Sequence, residues 1–545
     1  MTAFSLRRFY GIAPRIPARA LAEGIAQEAR NVDLSVAMEL KPLNGNRFVE
    51  PLTVLAGGVK QLYLFDSQHW FEFADGDTNV VRGPLPEDAT RRTYITDSDF
   101  PKVTRNDLAI SSSSRMPAVT YRLGVPVPTN APSLEIVGAG DTENRSFTAY
   151  VYTYVTSWGE EGPPGPPSIL IEVGDGATVN VTLTPPPTGE YAWSVTRIYR
   201  LNTGSGGSDY QFVDEVAAGS VLYVDTKSND ELAEVIPSIT WEPPPDGNYP
   251  TGPLRGLLAL PNGSLCGFTG PTFCVSVPYL PHAWPFDARY PIERDILAIG
   301  RVPYGVVILT DSTPYLASGT DPSSISISVL PKTQACLSKR SVVDMGGYLL
   351  YAGPEGLTAV DGATVNVVTA AMFEESDWRE RFNPSSITGY FWENRYIGFY
   401  DNGVTQGGFI YNPSDEQAAF SLLDLHATAG FYDSETDQLY LNVDGDLVIF
   451  SHPDEAPVQM AWHSRIERTP YPEPKAACRV VGEGSVRLEV FADGETVLDL
   501  PLLITGSDTV RLPSGYRAKE WSVRVSGTGT VEMIDLVSSV LELVP

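Results

Sequence analysis

The sequence predicts an all-β fold, and three observations carry the prediction. Glycine (48) and proline (45) are scattered between short apolar runs rather than gathered in one tract, the texture of many short strands joined by turns. Within those runs apolar and polar side chains alternate with the period of a strand. Groups of two to four such runs, joined by Asp, Gly and Asn turns, recur about every 40 to 50 residues, which is the spacing of β-propeller blades. At 545 residues the chain is long enough for several domains and a sizeable core.

Taken in order, residues 1–44 read as an N-terminal arm with a short helix. "PARALAEGIAQEAR" (17–30) is the best helical pattern in the chain. Pro17 suits a first helical position, and Leu21 and Ile25 share a face with Ala22, Ala26 and Ala29. Residues 45–130 hold short strands, among them "RFVEPLTVL", "RRTYITDS" and "LAISSSS". In "LYLFDSQHWFEF" two strands close around Asp66-Ser67-Gln68 as a hairpin. The same style returns over 250–458, interrupted by a second helical candidate, "AMFEESDWRERF" (371–382). These two stretches are read as one propeller-like core in two parts. A separate C-terminal β-sandwich is expected over 459–545, with a hairpin turning at Asp493-Gly494.

Residues 131–240 have a different character. "YVYTYVTSWGEEGPPGPPS" (150–168) sets Tyr150, Tyr152 and Tyr154 on one face of a strand and Val151, Thr153 and Val155 on the other. A turn at Gly159–Gly162 and a polyproline exit follow. "RIYR" (197–200), the glycine-rich turn after it, "FVDEV" and "YVDT" resemble the middle strands of fibronectin type III modules. The tyrosine strand is accordingly expected in the core of an inserted sandwich.

Charge and motifs narrow the function. A net charge of −29 argues against a general nucleic-acid-binding surface, which needs clustered Lys and Arg. The exception is local: Arg7, Arg8, Arg15 and Arg19 lie in an N-terminal stretch without acids, and a basic arm on an acidic body suggests docking onto a neighbouring subunit, as against a frayed terminus. No stretch suits a signal peptide or a bilayer span, so a soluble protein made in a cytoplasm is expected. Four cysteines are too few for a disulfide scaffold. Cys266 and Cys274, offset by one residue across a probable hairpin, are expected to be reduced, buried thiols.

Nucleophile-elbow, zinc-protease, P-loop and dinucleotide motifs are absent, and His69, His282, His426, His452 and His463 lack metal-type spacing. "DSETDQ" (433–438) has the one-three-five oxygens of a calcium loop but Gln438 at the glycine position. Nothing in the sequence demands an enzyme, a cofactor or a metal.

"FYGIAPRIPARALAEGIAQEARNVDLSVAMELKPL" (9–43), "YVYTYVTSWGEEGPP", "PYLPHAWP" (278–285), "KTQACLSKRSVV" (332–343) and "YAGPEGLTAV" (351–360) resemble virion structural proteins of tailed phages and prophages. The best match is the tail nozzle, or tail-hub, family of short-tailed bacteriophages. That resemblance implies a structural ring, usually a homohexamer, beneath the adaptor protein. It also implies contacts with tail fibres or tail tip proteins, and viral DNA passing through without specific binding. The glycine-rich loop "NTGSGGS" (202–208) could face the channel or a neighbour. Two rivals remain: a peripheral receptor-binding fibre, told apart by three-fold symmetry, and a propeller-type polysaccharide-degrading enzyme, told apart by a reducing-sugar assay.

Overall fold

The computed structural model describes residues 4–35, 38–110, 115–204, 207–414 and 420–543. They form an almost wholly β structure, with α-helices only at Asn106–Ala109 and Glu375–Phe382. The most regular part is a series of antiparallel meanders. Arg255–Ala259 opens a four-stranded sheet that ends at Arg289–Pro291; Ile296–Val302 opens the next, and Val343–Asp344 the one after. Thr388–Trp392 opens a fourth meander and Ala429–Asp433 a fifth, which is completed by Arg47–Pro51 from the other end of the chain.

The opening strands of successive meanders pack side by side, from Arg255–Ala259 through to Ala429–Asp433. Ala429–Asp433 in turn meets the hairpin Gln61–Phe65/His69–Phe73. That hairpin shares a core of Phe65, Phe71, Phe73 and Ile95 with the sheet of Asn79–Arg82, Thr93–Thr96, Lys102–Thr104 and Tyr121–Arg122. Asn79–Arg82 then contacts Arg255–Ala259, so the series returns to its start. The predicted turn at Asp66-Ser67-Gln68 is present: Asp66 and Ser67 take left-handed φ of 55° and 53°.

Residues 133–225 fold around one core. Tyr150, Tyr152 and Tyr154 face Val179, Val181, Ile198 and Val213, drawn from the sheet of Tyr150–Thr156, Trp193–Gly204 and Gly207–Ala217 and from that of Ser133–Gly138, Thr178–Thr182 and Leu222–Asp225. The proline stretch does more than leave the strand. Gly162, Gly165 and Ser168 donate backbone N–H groups to the carbonyls of Tyr154, Tyr152 and Tyr150 at 3.1, 3.1 and 2.9 Å. A donor at every third residue matches the threefold repeat of polyproline II, so the segment lies along the strand as an extra edge. Val151, on the opposite face, is buried against Tyr199 and Ile236.

The C-terminal residues form part of a larger sheet. Ala477–Ala492 and Glu495–Arg511 make a long hairpin, turning at Asp493-Gly494 with φ of 48° and 88°. Ala477–Ala492 also pairs with Ala518–Gly527 and Thr530–Val537. Phe4–Leu6 pairs with Thr530–Val537, and Ala26–Arg30 pairs with Met460–Ser464, so the first and last segments share one sheet.

Two sequence expectations are corrected. Residues 17–30 are not a helix. Gly24 sits at φ 83°, where a Cβ would lie 2.8 Å from the Arg8 carbonyl, and Ala26–Arg30 is a strand. Leu21 and Ile25 are buried as expected, but against Ala13, Tyr10 and Ile16. Tertiary pairing has overridden a weak local preference. "LAISSSS" is not a strand: Leu108 and Ala109 belong to the short helix Asn106–Ala109, and residues 111–114 lie outside the described residues. The second helical candidate holds, as Glu375–Phe382 with Trp378 and Phe382 buried.

Candidate functional site

The four arginines of the N-terminal stretch fall into two pairs. Arg19 forms a two-bond ion pair with Glu520, at 2.7 and 3.0 Å, and the Arg15 guanidinium donates to the Ala370 carbonyl at 2.5 Å. Both serve to hold the segment to its own chain. Arg7 and Arg8 are exposed, with Arg7 donating to the nearby Ser5 hydroxyl. The segment itself is built in: Phe9 and Ile12 are buried, and the Phe9 ring stands edge-on to Trp462.

Several exposed apolar side chains lie on the 133–225 region. Val137, Phe147, Ile169, Leu170, Val221 and Leu222 are each more than half exposed. A second free surface is the outer strand Glu495–Arg511, which pairs along its length with Ala477–Ala492 and with no other strand among the described residues. That edge is blunted at two points. Pro501 has no N–H to offer, and the Thr505 N–H is taken by the Asp508 carboxylate at 3.1 Å. Ser205 and Gly206 of the glycine-rich loop lie outside the described residues; Gly204 and Gly207 face each other across it.

Where the 133–225 region meets the rest of the chain, charges are buried. Glu160 accepts from Arg92 at 3.1 Å, and burial holds its carboxyl above the usual range against the pull of Arg92. Glu161 accepts from the Thr153 and Tyr199 hydroxyls, each at 2.7 Å, and from Arg197 at 2.9 Å. His282 packs edge-on against Trp241. Burial, reinforced by Arg92, pushes the imidazole down to about 4, and its Nε2 has no hydrogen-bond partner among the described residues. The sequence had no way to bring most of these groups together, because Arg92, Arg197 and Tyr199 lie 68, 36 and 38 residues from the carboxylates they meet.

This junction carries a pH prediction. An unfolded His282 takes up a proton near its ordinary pKa of about 6.5, while the native one resists until about 4. Stability therefore falls as pH drops from 6.5 to 4, by up to roughly 3 kcal/mol for this residue. Glu160, held up by burial, has the opposite sign, favouring the folded state as it protonates. Comparing wild type with His282→Gln separates the two: the variant should show a shallower loss of Tm between pH 6.5 and 4.5. Equal slopes would discard the assignment.

The other sequence candidates are structural. Asp433 closes a turn by accepting from the Glu435 N–H at 3.0 Å and the Thr436 hydroxyl at 2.7 Å. No group of three or more His, Cys, Asp or Glu side chains is placed to hold a metal among the described residues. Cys266 and Cys274 are buried one register apart, opposite Val275 and Gly267, and burial pushes the Cys274 thiol up to about 12. No helix among the described residues is long and apolar enough to cross a membrane.

No family model matches the chain, and no curated protein matches it. Among solved structures, it is similar to the extracellular domain of a one-component system from B. thetaiotaomicron, with 11% identity, 92% of this chain and 78% of that one covered, and a TM-score of 0.25. It is also similar to an exo-β-1,3-galactanase from Phanerochaete chrysosporium, with 9% identity, 91% and 100% covered, and a TM-score of 0.18. At these values neither a shared fold nor a shared activity follows.

Proposed function

We propose that this chain is a structural component of a phage virion, most specifically a subunit of the tail nozzle or hub ring that forms the DNA exit channel. In this reading the cyclic series of meanders is a β-propeller, sealed by Arg47–Pro51 joining the last meander. The 133–225 region is an inserted fibronectin type III-like sandwich, and the C-terminal sheet is a further β-domain. The observation that carries the reading is the number of exposed apolar side chains on the inserted region, side chains suited to burial between copies in a ring. The net charge of −29 fits a conduit that DNA passes without sticking. The chain would then act without a cofactor, between an adaptor above and fibres or tip proteins below.

Antibody-gold labelling of intact particles tests this directly. Label on the tail axis at its far end, with six-fold averages, is the expected result. Label on peripheral appendages would move the assignment to a fibre. Absence of label from every particle, with the protein present in infected cells, would remove both. At residue level, Arg7→Glu with Arg8→Glu should reduce incorporation into particles while leaving Tm unchanged, because both side chains are exposed. Normal incorporation would exclude them from docking.

A further inference from the structure

A cleft of about 460 Å³ opens where the turns of three consecutive meanders meet. Its volume lies in the range of small-molecule sites. The floor is apolar, from Phe273, Val302, Val306 and Ala317. One lip is the two-residue turn Pro303-Tyr304, between the paired residues Val302 and Gly305. Tyr304 is 72% exposed, so its ring is presented at the cleft with little packing of its own.

The rest of the rim is polar and already shaped, with Arg301 on the same hairpin as Tyr304 and Asp344 from the next meander. Arg301 and Asp344 approach to 4.0 Å, each side chain about half exposed. The Asp344 carboxylate is fixed by accepting from the Gly346 N–H at 2.8 Å. Asn262 accepts from the Ser264 N–H at 3.1 Å and donates to the Thr320 carbonyl at 3.0 Å. Gly346 and Gly347 leave that wall bare, and a Cβ on either would meet nothing within 4 Å.

We propose that this cleft binds a neutral saccharide, with a sugar ring laid on Tyr304 and its hydroxyls shared between Arg301 and Asp344. Three features select that class. An exposed aromatic face beside an apolar floor favours a ligand with one apolar face. A guanidinium and a carboxylate side by side offer donors and acceptors together, matching hydroxyl groups that do both. The one arginine is balanced by the one aspartate on a strongly acidic chain, which disfavours polyanions. The site is independent of the virion reading and stands or falls separately from it.

Saturation-transfer NMR on the full chain tests the site with maltotriose, cellotriose, laminaritriose and galactotriose, and trigalacturonate as the charged control. At least one neutral trisaccharide should bind saturably at millimolar concentration or below, and trigalacturonate should not. Tyr304→Ala should weaken binding at least about tenfold, and Tyr304→Phe should keep it. Gly347→Leu, at a lining position where an added Cβ would meet nothing within 4 Å, should also weaken binding. Failure of all four neutral sugars would overturn the proposal. So would binding that survives both Tyr304→Ala and Gly347→Leu, or equal binding of trigalacturonate.

Discussion

Arg200→Ala is expected to destabilise the 133–225 region by about 3–5 kcal/mol, the cost of stranding a buried charge. Arg200 lies on Trp193–Gly204 and donates to the Asp225 carboxylate at 2.7 Å. It also donates to the carbonyls of Lys227 and Ser228 at 2.9 and 3.0 Å. Asp225 is fully buried, and its carboxylate further accepts from the Tyr150 hydroxyl at 2.7 Å and the Lys227 N–H at 3.0 Å. The ion pair thus ties Trp193–Gly204 to the last strand of the region and to the chain that leaves it, and the Tyr150 hydroxyl joins the tyrosine strand to the same carboxylate. Removing the guanidinium leaves a carboxylate without its counter-charge in a dry core. Replacing both partners by apolar residues, as Arg200→Met with Asp225→Leu, should restore much of the loss, because neither charge then has to be desolvated. Chemical denaturation gives the magnitude, and hydrogen exchange should confine the loosening to residues 133–225. A single variant costing under about 1 kcal/mol would mean that the pair is solvated in practice.

How much of this was legible in the sequence depends on the range of the interaction. The hairpins at Asp66-Ser67-Gln68 and Asp493-Gly494 were readable because local residues that tolerate positive φ set them. The tyrosine strand was readable from its alternation, and the core placement of Tyr150, Tyr152 and Tyr154 follows it. What failed was the reading of residues 17–30, where an alanine-rich pattern concealed a strand. Ala26–Arg30 is fixed by pairing with Met460–Ser464, a partner more than four hundred residues away that no local pattern reports. Gly24, in the middle of the supposed helix, was the available warning. The turn read at Gly159–Gly162 falls earlier, at Ser157-Trp158, closed by the Gly159 N–H on the Thr156 carbonyl at 3.0 Å, and Glu161 already pairs back against Val155. Nor was the burial of Glu160 and Glu161 readable, because Arg92 and Arg197 make it tolerable from other elements. The cleft at Tyr304 was equally hidden: its lips come from turns that meet only once the meanders have packed side by side.

Trp378→Ala is expected to cost about 3–5 kcal/mol, from lost burial and the cavity left behind. The helix Glu375–Phe382 was readable from sequence, yet helical propensity does not explain its stability: at eight residues it is too short to persist alone. Its aromatic face does. Trp378 and Phe382 are fully buried, packed with Phe373 and Phe409, and Phe382 also meets Phe420 and Tyr400. The Trp378 indole N–H donates to the Gly353 carbonyl at 3.0 Å, joining the helix to the turn after Leu349–Ala352. The helix therefore bridges two neighbouring meanders, and the chain between Val365–Val367 and Thr388–Trp392 is held against the core instead of looping into solvent. Trp378→Phe should lose less than alanine, since it keeps most of the aromatic contact and gives up the hydrogen bond. If alanine and phenylalanine cost the same in denaturant titrations, the indole hydrogen bond rather than packing would be holding the two meanders together.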